Sequence, residues 1–270
     1  MSGDFLKERD WKRRFNAFLL SMAGIFGCAG LVGAVLPPLE VRTGVAREDY
    51  SFTGLGSTQW LEIALKPYRN FSFSLRETRV ERFQEVDLQT GLGGGIRLGG
   101  RSGLETEVSF GPQASVVPLF SWQGYWYQGL PHSLEIIPGY RFSNFSTAQV
   151  HLLSLGIFRQ LGDRGGVLVR GFANQTQFDG AGNVWNPAWL IQGKVPLSRV
   201  LQIIPSYSYR KEAFEAGAPG QTRDFKAHLG RLEGRYGWKD FLNLYLAWEY
   251  EGRIPSAFVR RLEAGLVLFW

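Results

Sequence analysis

The chain alternates between apolar and polar positions over most of its length. From Gln84 to Leu98, Val86, Leu88, Leu92, Ile96 and Leu98 share one parity with Thr90, while Glu85, Asp87, Gln89, Gly91, Gly93, Gly95 and Arg97 share the other. Successive side chains of a strand point to opposite faces, so this stretch has one dry face and one wet face. The pattern returns with Leu104, Thr106, Val108 and Phe110 against Glu105, Glu107 and Ser109, and with Leu242, Leu244, Leu246, Trp248 and Tyr250 against Asn243, Tyr245, Glu249 and Glu251. Beyond residue 46 no amphipathic helix of useful length appears, and alternation recurs about every sixteen residues. Strands are predicted over 49–56, 59–68, 70–80, 84–98, 102–110, 118–128, 132–142, 148–160, 166–177, 184–195, 200–210, 224–236, 239–251 and 258–270. That is a count of fourteen, or twelve if the first hairpin or a short pair does not form.

The connections alternate in length. Those after even-numbered strands are tight, as at Gly99-Gly100-Arg101, Leu161 to Gly165 and Gly237-Trp238, whereas those after odd-numbered strands include Gly111 to Val117 and Lys211 to Arg223. Short turns at one end and longer loops at the other suit a membrane barrel with both termini in the periplasm. One internal echo, Leu134-Glu135-Ile136-Ile137-Pro138-Gly139-Tyr140 and Leu201-Gln202-Ile203-Ile204-Pro205-Ser206-Tyr207, has the frame L-x-I-I-P-x-Y. Both prolines fall on the apolar face, where each removes a ladder hydrogen bond, and a β-bulge is the expected accommodation.

The final stretch discriminates between classes of β-protein. Trp270, Leu268, Leu266, Ala264 and Leu262 form a wholly apolar face, against Phe269, Val267, Gly265, Glu263 and Arg261. A chain that stops at the aromatic residue of such a strand resembles a bacterial outer-membrane β-barrel. A soluble periplasmic sheet protein shares the alternation, with its dry faces meeting across a core. Aromatics on the dry face near strand ends, Tyr140, Tyr207, Tyr209, Trp248, Tyr250 and Trp270, match the interfacial girdles of a barrel. Trp122, Trp126, Trp185 and Trp189, together with Tyr125 and Tyr127, are read the same way, with stacking on sugar rings as the alternative.

At the other end, Lys7, Arg9, Lys12, Arg13 and Arg14 precede the apolar run from Phe15 to Leu36, the layout of a secretory signal or an uncleaved anchor. Small residues offer cleavage after Ala34 or after Ala46. The domains are therefore a signal and short N-terminal segment over 1–46 and a barrel over 47–270. Hydrophobic residues make up 44% of the chain and mean hydropathy is -0.12, which excludes a polytopic helical protein. The formal charge of +6 is scattered singly along strands, so no nucleic-acid partner is expected.

Catalytic and metal chemistry find little support. His132 and Ser133 are adjacent and diverge, as do His151 and Ser154, so no nucleophile–base pair forms within one strand. The histidines lack metal-ligand spacing, Cys28 lies in the leader, and Gly91 to Gly100 lacks the lysine of a phosphate loop. No cofactor or metal is expected. What the wet faces do carry is charge of both signs: Glu85, Asp87, Arg97, Glu105, Glu107, Glu135, Arg141, Arg231, Glu233, Arg235, Glu249, Arg261 and Glu263, with Glu62, Lys66 and Arg170. They fill a hydrated interior as cross-strand ion pairs, or they line a pore that selects its permeants.

Trp60-Leu61-Glu62 with Tyr68, Arg76-Glu77 followed by Arg82-Phe83 and Asp87, and Leu134-Glu135 to Gly139-Tyr140-Arg141-Phe142 resemble the YaiO family of outer-membrane barrels over roughly residues 50–270. The resemblance implies an outer-membrane barrel, and some relatives carry helical repeats of the kind found in polysaccharide exporters, for which this chain has no room. The expected role is a passive small channel or envelope-structural barrel, not an enzyme, with a link to a glycan pathway. An outer-membrane hydrolase acting on lipid or peptide, with a site assembled across strands, is the alternative. Expected partners are membrane lipid, the barrel-assembly machinery through the strand ending at Trp270, and a glycan.

Overall fold

A computed structural model of the protein describes residues 38–270 apart from 53, 179–181, 216–221, 239, 255–256 and 270. The expected signal segment before residue 38, with the cleavage position after Ala34, and Trp270 lie outside the described residues. The remainder is a closed antiparallel barrel of fourteen strands, each paired with its sequence neighbours and β1 paired with β14. The strands are β1 Leu39–Tyr50, β2 Gly54–Tyr68, β3 Phe71–Arg82, β4 Glu85–Leu98, β5 Ser102–Phe110, β6 Phe120–Leu130 and β7 Leu134–Asn144. They continue with β8 Ala148–Leu161, β9 Gly165–Phe178, β10 Gly182–Pro196, β11 Leu201–Glu215, β12 Thr222–Trp238, β13 Leu242–Ile254 and β14 Ala257–Phe269.

Polarity is inverted relative to a soluble sheet. The buried polar residues, among them Glu40, Glu48, Asp87, Asn186, Glu233, Glu251 and Glu263, share the inward parity of their strands. The outward parity carries exposed apolar groups, such as Leu153, Leu155 and Ile157 of β8 at 52%, 56% and 51% exposure. A sheet that presents leucine outward and glutamate inward is stable only with hydrocarbon around it and water within.

Three expectations are corrected by the register. β1 begins at Leu39, so the barrel starts before residue 47, and cleavage after Ala46 would remove Leu39 to Ala46 from ladders with β2 and β14. The long loop expected from Lys211 to Arg223 is mostly strand, because β11 and β12 stay paired from Lys211↔Lys226 to Glu215↔Thr222. The length asymmetry therefore rests on 111–119 and 216–221 alone. Neither proline makes a bulge: the β6–β7 ladder runs Tyr125↔Gly139 and resumes unshifted at Gln128↔Ile136, and β10–β11 runs Gln192↔Ser206 and resumes at Val195↔Ile203. A residue without an N–H simply skips its bonds. The register shift recorded in the described ladders lies elsewhere, between Leu65 and Tyr68 against β3.

The closing seam has its own fit. Gly44 of β1 pairs with Gly265 of β14, and they separate Trp60 of β2 from Tyr245 of β13. The two rings lie over the glycines and stack at 6.4 Å. A Cβ on Gly44 would come within 2.6 Å of the Tyr245 hydroxyl and 2.9 Å of the indole.

Candidate functional site: the charged lumen

All thirteen charges expected to line the lumen share the inward face, but they divide into distinct settings. Arg231, Glu233, Arg235, Glu249, Arg261 and Glu263 join one ionic network. Arg231 bonds Glu233 at 2.8 Å and Glu263 at 3.2 Å and lies 3.6 Å from Glu249, while Arg235 bonds Glu233 at 2.6 Å. Arg261 links Glu263 at 3.1 Å to Glu48 at 3.3 Å. Glu48, 2% exposed, accepts both arms of Arg82 at 2.6 Å and the hydroxyl of Tyr50. Gly56 lets Arg82 reach across β2, since a Cβ there would meet the Arg82 stem at 3.3 Å. Glu251 holds Arg210 and Arg253 beside this network. Breaking one partner of so buried a set strands the other charge, so the network acts as a rigid filling of one wall.

Glu105, Glu107, Glu135 and Arg97 line a cavity of about 1200 Å³ at the end where β1 starts and β14 stops. Tyr127 donates to Glu105 at 2.8 Å and Gln123 to Glu107 at 2.9 Å. On the opposite wall, Arg42 bonds Glu40 at 2.6 Å and Glu62 at 3.3 Å, and Lys66 reaches Glu40 at 3.3 Å. The room comes from small residues: Ala64, Ser72, Ser74, Gly93, Gly95 and Gly103 line the same space. A Cβ on Gly95 would sit 2.7 Å from the Ser72 hydroxyl, so glycine is what lets the serines occupy this wall.

Asp87 does something the sequence did not signal. Its carboxylate accepts the backbone N–H of Ser115 at 2.9 Å, Val116 at 2.5 Å and Val117 at 2.9 Å. Gln89 adds a bond to the Pro118 carbonyl at 3.4 Å. Because both side chains point inward from β4, segment 111–119 is drawn over the lumen at the end opposite the cavity. Three successive amides converging on one anion make a nest that neutral side chains would not hold as well. Glu85 and Arg141 share the inward face but not the cavity.

The aromatics separate by parity. Trp122, Trp126, Trp185 and Trp189 face outward, as do Tyr140, Tyr207, Tyr209, Trp248 and Tyr250. Tyr125 and Tyr127, grouped with the girdle in the sequence, instead face the lumen and line the cavity. Arg170 lies 5.2 Å above the Tyr125 ring, and Gly139 makes space for that ring. Also unsignalled is an apolar sector of the interior, where Leu152, Phe158, Leu168, Phe172 and Leu190 point inward from β8, β9 and β10. His151 and His228 face outward, with Nδ1 2.7 Å and 2.6 Å from the hydroxyls of Tyr140 and Tyr207. His132 sits in the turn between β6 and β7. Among the described residues no group of three metal-ligating side chains converges.

Known structures bear on the fold. A bacterial polysaccharide outer membrane secretin aligns at a TM-score of 0.55 and 12% identity, over 88% of this chain and 100% of that one. The chain is an outer-membrane β-barrel. The barrel is also similar to the translocator domain of autotransporter NalP from Neisseria meningitidis (TM-score 0.48, 13% identity, 94% of this chain and 97% of that one). An anion-selective porin from Comamonas acidovorans aligns at 0.48 and 10% identity, over 86% and 98%. No family model matches the chain, and no curated protein matches it.

Proposed function

We propose that this outer-membrane barrel is a narrow, charge-lined channel of the YaiO type, with the cavity opening to the periplasm and segment 111–119 narrowing the outer mouth. The observation that carries the reading is the cavity of about 1200 Å³ inside the barrel, open among carboxylates, guanidinium groups and three tyrosines. A structural plug has no use for a wall of glycine and serine that enlarges its interior. A barrel of fourteen strands is wide enough to leave a lumen unless side chains or loops fill it, and here they fill only part.

The permeants are small polar solutes, and a glycan pathway is the setting we favour. Tyr125 and Tyr127 beside Glu105 and Glu135 combine ring faces with hydrogen-bond acceptors, the pairing that suits a sugar. The fold likeness to a polysaccharide secretin agrees with that setting. Assembly proceeds through the barrel-assembly machinery, which takes up β14. The role is passive transport and not catalysis: two of the histidines are committed to tyrosines on the outer face, away from the lumen.

The test is single-channel recording of the refolded protein in a planar bilayer, with folding verified by heat-modifiable gel mobility. Small steady openings are expected, and Asp87→Ala should raise the unit conductance because segment 111–119 loses an anchor whose charge-assisted bonds are each worth about 1.5–3 kcal/mol. A folded barrel that stays silent in both forms would overturn the channel.

A further inference from the structure

The charges that line the cavity do not cancel one another. Glu40, Arg42, Glu62 and Lys66 close into one set, with Arg42 2.6 Å from Glu40 and 3.3 Å from Glu62 and Lys66 3.3 Å from Glu40. Arg69, Arg97 and Arg101 on one side and Glu105, Glu107 and Glu135 on the other line the same space and form no ion pair among the described residues. Glu105 and Glu107 accept from neutral donors only, the Tyr127 hydroxyl at 2.8 Å and the Gln123 amide at 2.9 Å.

Cations that come near these carboxylates are turned aside. A Cβ on Gly91 would meet Glu107 Oε1 at 3.2 Å and the Arg76 stem at 3.6 Å, yet the Arg76 guanidinium lies over the Trp60 ring, 5.0 Å from its centre. Arg170 likewise lies over Tyr125, the β6 partner of Glu105. Glu105 and Glu107 stand two positions apart on one face of β5, about 7 Å, and repel each other across that gap. Withholding cations from these carboxylates, and carboxylates from the three arginines, leaves both signs to be matched by a solute.

The signs are also ordered along the lumen. Arg69 and Arg101 sit in the β2–β3 and β4–β5 turns at the rim, and Arg97 lies opposite Gly103. Glu105 and Glu107 lie two and four positions deeper on β5, about 7 Å and 14 Å from Gly103. The geometry points to a zwitterion site in this cavity. The anionic end of the solute rests on Arg97 and Arg101 at the rim, its amine lies between Glu105 and Glu107, and Tyr125 and Tyr127 flank its length. Resting on the solute path proposed above, this site narrows the permeants to molecules with an amine and an acid group well apart. A free amino acid is too short, because both of its charges sit on one carbon. A peptide of two to four residues, at roughly 3.3–3.6 Å per residue, has the reach. An aminosugar–uronic acid disaccharide carries the same two charges on separate rings.

The test is isothermal titration calorimetry of the refolded barrel in detergent, at neutral pH and low salt. The probes are trialanine, its N-acetyl form and its C-terminal amide, then a glucosamine–glucuronic acid disaccharide and its N-acetylated form. Trialanine should bind about tenfold or more tighter than either singly charged analogue. Arg97→Gln with Arg101→Gln should abolish the preference over the amide and keep the preference over the N-acetyl form. Glu105→Gln with Glu107→Gln should do the reverse, a crossed loss that misfolding cannot imitate. Tighter binding of the disaccharide than of trialanine, affected by the same variants, would assign the site to sugars, and the opposite order to peptides. Equal binding of the three alanine probes, no binding to the unaltered barrel, or the same loss in both double variants would each overturn the site. Calorimetry needs no current, so a barrel that binds zwitterions yet stays silent in a bilayer would sink the channel and leave the site standing.

Discussion

Single residues decide whether the ends of the sheet can meet. Gly44 and Gly265 face each other across the β1–β14 pairing, which joins residues distant in sequence, and the rings of Trp60 and Tyr245 use the space that two missing side chains leave. Gly44→Ala should destabilise the barrel by about 1–3 kcal/mol, as overpacking does elsewhere. Gly171→Ala, outward on β9 with nothing within 4 Å of an added Cβ, should be close to neutral. Urea unfolding in micelles separates the two, and equal midpoints for both variants would contradict a fitted seam. The sequence hid this contact because Trp60 and Tyr245 lie on strands that become neighbours-but-two only after closure. Asp87 was hidden for a related reason: its parity was legible, but its partners are backbone amides of a connection whose path no periodicity describes.

Among the elements, what alternates strongly was legible and what alternates weakly was not. β4, apart from Thr90 and Gly94, and β13, apart from Gly252, carry apolar outward faces, and their predicted bounds differ from the structure by a few residues at most. β1 escaped because its inward row includes Gly44 and Ala46, small for the seam, while its outward row ends in Arg47 and Asp49. It also follows the apolar run from Phe15 to Leu36 closely in sequence, which blurs the contrast. The tip of the β11–β12 hairpin reads as loop because Lys211 to Arg223 lacks apolar alternation, yet its backbone ladder continues. Turns offer a test at this scale. Phe83 and Gln84 close the β3–β4 hairpin with φ of 54° and 66°, left-handed values that suit glycine or asparagine. Phe83 is retained by its contacts with Tyr50 and Phe52 at 5.4 Å and 6.3 Å. Gln84→Gly should therefore stabilise the barrel by about 0.5–1 kcal/mol, measurable as a raised temperature of gel-mobility loss; a lowered one would mean the side chain matters more than the backbone.

For the whole molecule, parity sorted charge from hydrocarbon correctly, yet it could not say how the inward charges combine. Arg231, Arg261 and Glu263 became one network because β12, β13, β14 and β1 curve around a shared interior, and Glu105, Glu107 and Glu135 stayed apart on the far wall. The inner apolar sector of β8 to β10 went unseen because it breaks the rule that inward means polar. On the outer face the paired row Trp122, Phe142 and His151 recurs as Trp189, Tyr209 and His228. The second L-x-I-I-P-x-Y frame follows the first by 67 positions, 134 to 201, and Trp189 follows Trp122 by the same 67, four strands on. Such spacing is that of a block of four strands, two hairpins, whose frame recurs along the chain. Excising residues 134–200 would splice β11 onto the turn after β6, where its frame matches the one removed. The shortened chain should close with ten strands and a single row, Trp122, Tyr209 and His228, and migrate as a heat-modifiable band; a product that never becomes heat-modifiable would mean that the two frames are not interchangeable.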